Sequence, residues 1–184
     1  MQTEIFISPS NLPIYSSVVI NEKSDFHLFI KEVDLTEAFD ALFISISDAK
    51  KRSMITLSDD VDSDDQSLMS KEALAPLLAS LPLNTSVYLQ GSEAFMWDVN
   101  SIAIEQGMVA DQINMLTPIS KQRRLFCTHC YTITEGVTHS PAVCSGCQRN
   151  LLVRDHFSRL HSAYVGLQID AEDPADLPPV EELS

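Results

Sequence analysis

"SVYLQGSEAFMWDVNSIAIEQGMVADQINMLTP", residues 86–118, decides the fold. Val87 to Leu89 reads as a short apolar strand, and Gln90-Gly91-Ser92 as a tight turn. Glu93 to Glu105 has the composition of a helix, and Gly107 supplies its stop. A second strand follows near Ile113 to Leu116. Strand, turn, helix, turn and strand in that order form the repeating unit of a parallel sheet. Such a sheet needs helices over both faces.

The same architecture is expected upstream. "SSVVI" ending at residue 20, "FHLFI" at 26–30 and "ALFISIS" at 41–47 are β-like runs. "LTEAFD" at 35–40 is a short helical candidate with Thr36 as its cap. "SKEALAPLLASLP" at 70–82 places Leu74, Leu77, Leu78 and Leu81 on one helical face behind a Ser70 cap, with Pro76 inside. The acidic run "SDDVDSDDQS", 58–67, reads as a solvated connector. It lacks the glycine and terminal glutamate of a calcium loop.

The stretch "VYLQGSEAFMWDVNSIAIEQGMVADQI" resembles the last strand–turn–helix of the nicotinamide-binding domain of ferredoxin reductases. Tyr88, Gly91, Phe95, Met96, Val99 and Gly107 match that family's pattern, while Gln90 and Ser92 stand where it has cysteine and proline. In that family the turn lies beside the nicotinamide ring. Dinucleotide binding also needs an early glycine-rich turn for the phosphates. The five glycines here are Gly91, Gly107, Gly136, Gly146 and Gly166, none of them in the first 90 residues. A reductase-like α/β domain over 1–118 without bound nucleotide is therefore expected.

All four cysteines fall in "FCTHCYTITEGVTHSPAVCSGCQ", 126–148, as Cys127-x2-Cys130 and Cys144-x2-Cys147. Each pair lets two sulfurs converge on one ion, and two pairs complete a tetrahedron. Zinc, as a structural ion with a saturated shell, is the expected occupant; rubredoxin-type iron uses the same ligands and stays open. The plant-type iron–sulfur spacing is absent. His129 and His139 are surplus to the set. With 45% hydrophobic and 21% charged residues the chain has the composition of a folded soluble protein. No apolar run approaches the ~20 residues of a membrane span, and the start lacks a signal-peptide pattern. A reducing, cytoplasmic setting then favours metal over disulfides.

The net charge of −14 argues against nucleic acid. It is unevenly placed. Residues 119–160 hold six bases against two acids, and 161–184 hold six acids and no base. Arg123 and Arg124 precede the ribbon. After it, "LLV" is expected to close the ribbon as its last strand. "DHFSRLHSAYVG" then reads as a packed connector, and the proline-bearing acidic end as an extended tail.

The cysteine block followed by "LLVRDHFSRLHSAYVGLQIDAEDP" resembles the small subunit of bacterial dimethylamine monooxygenases, which are similar to haem-dependent oxidative N-demethylases. That resemblance covers residues 126 to about 174. It implies a non-catalytic accessory subunit in a complex that converts dimethylamine to methylamine and formaldehyde with O2 and NADPH. It implies haem in a separate catalytic subunit, and flavin and an iron–sulfur cluster in a reductase subunit. No nucleophile elbow, Walker loop or haem-attachment motif stands in this chain. The expected architecture is thus α/β over 1–118, a small parallel sheet with helices. A zinc ribbon follows over 119–155 (Cys127, Cys130, Cys144, Cys147), and then a docking segment with an acidic extended tail over 156–184. His156, Phe157, Arg159 and Tyr164 are the candidate docking residues. An electron-transfer protein with iron at the cysteines, or a free nucleotide-binding domain, are the alternatives.

Overall fold

The computed structural model describes residues 11–15, 17–32, 37–57, 68–173 and 177–183. It divides into two compact units, one containing Tyr15–Ile119 and the other Ser120–Ser184 together with 11–14. The acidic connector 58–67 and the Thr36 cap lie outside the described residues.

The first unit is a five-stranded, wholly parallel sheet. Its strands are β1 (Phe26–Lys31), β2 (Lys51–Leu57), β3 (Leu68–Met69), β4 (Thr85–Gln90) and β5 (Ile113–Met115), in the order β3-β2-β1-β4-β5. Helices α1 (Glu37–Ser45), α2 (Lys71–Ala79) and α3 (Glu93–Glu105) make the crossovers. The chain winds outward from β1 to β3, then returns to β1's other side with β4. That reversal places a topological switch between β1 and β4.

Every residue of β4 is buried, as a strand covered on both faces requires. Phe29 on β1 stacks on Tyr88 of β4 at 4.6 Å and meets Phe39 of α1 edge-on at 5.1 Å. Ile46 and Leu116 complete this cluster. On α3, Ser92 accepts the backbone N–H of Phe95 as the N-cap, and Gly107 at φ 90° ends the following turn. Helix α2 follows Ser70 and buries Leu74 and Leu78 despite Pro76.

Two local expectations are corrected. "ALFISIS" reads as a strand because Ile44, Ser45, Ile46 and Ser47 alternate, yet its first five residues, Ala41 to Ser45, lie in α1. Phe39, Leu42, Phe43 and Ile46 recur at helical spacing and face the core, while Ile44 is 72% exposed. The sheet position it would have filled belongs to "KRSMITL" of β2. Residues 17–20 form no strand: Val18 and Ile20 pack on the core and Val19 faces out, an alternation without a ladder.

The second unit holds β6 (Arg123–Cys127), β7 (Ile133–Val137), β8 (His139–Ser140), β9 (Ala142–Val143), β10 (Asn150–Ser158), β11 (Ala163–Gln168) and β12 (Glu181–Glu182). Five of them form a sheet in the order β7-β6-β11-β10-β9. "LLV" does not close it. The strand runs on through a bulge after Val153 to Ser158, turns, and returns as β11 between β10 and β6. The segment read as a connector is thus a hairpin whose second strand is central. Its Gly166 is tightly packed: a Cβ there would sit 3.0 Å from the Leu125 and Leu151 side chains, which would have to give by a few tenths of an ångström. Near the C-terminus, Glu181–Glu182 pairs antiparallel with β8, and the Leu183 N–H donates to Thr138.

Candidate metal centre

One cysteine pair starts on the last residue of β6 and runs into the β6–β7 connection, the other lies in the β9–β10 connection, and the two are built alike. The N–H of Cys127 donates to the carbonyl of Thr132 at 3.0 Å, and that of Cys144 to Arg149 at 3.0 Å. Four residues on, the N–H of Tyr131 returns to Cys127 and that of Gln148 to Cys144. Closing each knuckle places the residue after its second cysteine in the left-handed region, Tyr131 at φ 63° and Gln148 at φ 60°. Glycine takes that conformation freely; any other residue costs roughly 1 kcal/mol. The sequence signal was visible as tyrosine and glutamine following the cysteines, but its backbone consequence was not.

The four sulfurs converge. Cys127 and Cys147 stand 3.8 Å apart, Cys130 and Cys144 3.6 Å, and all four lie within 4.8 Å of one another. None is paired in a disulfide. Thiolates at about 2.3 Å from a tetrahedral ion are separated by about 3.8 Å, so the set matches the edge of such a site. Cys127 and Cys144 are buried, the other two half-buried.

Their protonation fits a cation as well. Hydrogen bonds from Thr132 hold the Cys130 thiol down to about 5. Burial opposes ionisation of Cys144, but the backbone N–H groups of Cys147 and Gly146 outweigh it and lower its pKa. At Cys147 the Arg149 N–H favours the thiolate, yet burial and the neighbouring sulfurs push it up to about 11. Without a cation the cluster divides into ionised and protonated members. A divalent ion removes that conflict by taking thiolates throughout.

His129 and His139 are exposed and lie outside the cluster. Of the docking candidates, Phe157 and Tyr164 are buried and meet edge-on at 5.2 Å, with the Arg123 guanidinium 4.3 Å over the Tyr164 ring. His156 and Arg159 are exposed, and His156 Nδ1 lies 3.2 Å from the Asn11 side-chain amide.

In the α/β unit the Gln90-Gly91-Ser92 turn enters α3 as read. A Cβ on Gly91 would fall 2.8 Å from the Glu32 carboxylate and 2.5 Å from Phe95, so only glycine fits. The Glu32 carboxylate accepts the Ser92 N–H at 2.6 Å and its hydroxyl at 3.1 Å. The anion position at the start of α3 is therefore taken by the chain's own carboxylate. In sequence, the stretch that follows β1, "EVDLT" at 32–36, holds two acids and no glycine. Nearby, a cavity of about 410 Å³ is lined by Val18, Leu42, Gln90, Leu116 and Ile119 among others. No helix of the described residues is long and apolar enough to cross a membrane.

The model of the family described as dimethylamine monooxygenase subunit DmmA-like, C-terminal domain, matches residues 124–167. Those residues run from β6 through β11, the whole width of the ribbon sheet and both knuckles. The heme-dependent oxidative N-demethylase delta subunit of Ectopseudomonas mendocina (strain ymp) is 30% identical over 166 residues, which cover 90% of this chain and 92% of that protein. The chain belongs to this family of small N-demethylase subunits. Among solved structures, phthalate dioxygenase reductase, described as a modular structure for electron transfer from pyridine nucleotides to [2Fe-2S], aligns with a TM-score of 0.39 and 10% identity. It covers 68% of this chain and 47% of that one, a likeness too slight to assign a fold.

Proposed function

We propose that this chain is a non-catalytic accessory subunit of a multisubunit, NADPH-dependent monooxygenase that demethylates dimethylamine to methylamine and formaldehyde. The observation that carries the reading is the near full-length relationship to an N-demethylase delta subunit, which spans 90% of this chain and 92% of that protein. Haem belongs to a partner catalytic subunit, and flavin and an iron–sulfur cluster to a reductase subunit. The assembly works in the cytoplasm, where the thiols stay reduced.

Zinc is the ion proposed for Cys127, Cys130, Cys144 and Cys147. Bound there, it supplies folding energy to a unit with a thin core. Four thiolates saturate it, so neither substrate nor water has a coordination position. The α/β unit works without nucleotide, as the Glu32 carboxylate at the start of α3 supports. The hairpin around His156 and Arg159, seated on the buried Phe157–Tyr164 pair, is the docking segment.

Reconstitution of the complex with and without this chain tests the proposal. The isolated chain should show no haem or flavin absorbance, no amine turnover and no NADPH binding by calorimetry. Omitting it should lower assembly and amine-dependent NADPH oxidation together. A complex that assembles and turns over equally well without it would sink the reading.

A further inference from the structure

The ribbon sheet buries one face: Leu125 and Cys127 on β6 and Tyr164 on β11 are closed to solvent. Its other face carries a second apolar row. Ile133, Phe126 and Val165 are cross-strand neighbours on β7, β6 and β11, and all three are only half-buried. His161 stacks on Phe126 at 4.1 Å with the rings 8° from parallel. Tyr131, 74% exposed, lies 5.9 Å from the same ring. Leu160, at the tip of the β10–β11 hairpin beside His161, is 87% exposed.

Charge gives this surface a direction. Glu135 and Asp155 are the only acids between 119 and 160, and both are engaged, by Arg124 at 2.8 Å and Arg123 at 3.3 Å. Lys121, Arg154 and Arg159 are exposed and have no ion pair among the described residues. Arg159 directly precedes the exposed Leu160 in sequence, and aromatic groups and arginine are enriched in interfaces, with a polar rim around them. Such a rim selects an acidic partner, through faster encounter and rejection of basic surfaces.

We propose that the outer face of the ribbon sheet docks a partner subunit of the oxygenase through an acidic surface that covers Phe126, Tyr131, Leu160 and His161. The inference rests on the accessory-subunit reading and names the face that reading requires.

The test is the affinity of the full chain for its purified, co-expressed partner subunits. Leu160→Asp should weaken it by at least about tenfold, because an unpaired charge enters the contact. Arg154→Glu with Arg159→Glu should weaken it about tenfold at low salt, with most of the difference gone near 0.5 M NaCl. Leu83→Asp in the α/β unit, where Leu83 is 97% exposed, should change nothing. All the substituted side chains are exposed, and unchanged metal content and circular dichroism would show the fold intact. Wild-type affinity in both the Leu160 and the arginine variants overturns the proposal. A wild-type dimer that Leu160→Asp dissociates also overturns it, since a second copy would then be the occupant. A wild-type chain that binds no partner instead sinks the accessory reading itself.

Discussion

Strand β4 and strand β10 show how differently the two units are held. All six residues of β4 are buried, between helices that cover a parallel sheet, whereas β10 buries three of its nine. The α/β unit therefore draws its stability from apolar area removed from water. The ribbon buries a smaller apolar face, Leu125, Leu151 and Phe157 among it, and adds to it four sulfurs within 4.8 Å of one another. One unit should respond to cavities in its core, and the other to loss of its ion.

Breaking the metal centre should have the largest effect. Cys127→Ser, or a strong chelator, should unfold the ribbon while leaving the α/β unit folded, a loss on the order of 10 kcal/mol of binding free energy. Two-dimensional NMR would show peaks from 120–170 collapse and those from 26–115 persist. Collapse of both together would contradict the division. Next in size, Phe29→Ala should cost the α/β unit about 3–5 kcal/mol in chemical denaturation without releasing metal.

A smaller effect sharpens the comparison from the α/β side. His27 is fully buried on β1, with Nδ1 3.3 Å from the Tyr88 hydroxyl and Nε2 lacking a partner among the described residues. Burial, and then the charge of Lys50, lowers its pKa from 6.5. A histidine lowered in the fold is neutral there, so the stability it carries is whole above 6.5, the unfolded value, and falls as pH drops below it. The unfolding free energy of this unit, read from urea titrations, should fall between pH 7.5 and 5.5 by at most about 1.4 kcal/mol per pH unit. His27→Gln should remove that dependence, and since His27 is the only histidine before residue 129 the assignment is clean.

The smallest effect lies in the ribbon. Gln148→Gly should leave stability equal or raise it by up to about 1 kcal/mol by relieving the left-handed backbone. Gln148→Val should lower it by about 1–2 kcal/mol, because a β-branched residue is worst there. Thermal melts of the metal-loaded chain would show the order, and the reverse order would refute the knuckle geometry.

How much of this was legible in the sequence depended on whether neighbouring residues carried the signal. From β4 to β5 the elements came out nearly residue for residue, because Gly91, Ser92 and Gly107 mark turn, cap and stop locally. The cysteine cluster was equally legible, since spacing alone brings the sulfurs together. Helix α1 was misread because Ile44 and Ile46 alternate with serines, and only the packing of Phe39 and Phe43 against Phe29 decides the matter. Strand β11 was missed for a similar reason. Its central place depends on Gly166 fitting between Leu125 and Leu151, residues distant in sequence. The carboxylate of Glu32 at the start of α3 joins residues sixty apart, and no local pattern announces it.

The most direct test of the account is elemental analysis of the purified chain together with its visible spectrum. One zinc per chain and no absorbance above the protein bands would agree with a closed, redox-silent staple in an accessory subunit. One iron per chain, with a coloured band that bleaches on reduction, would make these cysteines an electron carrier and contradict it.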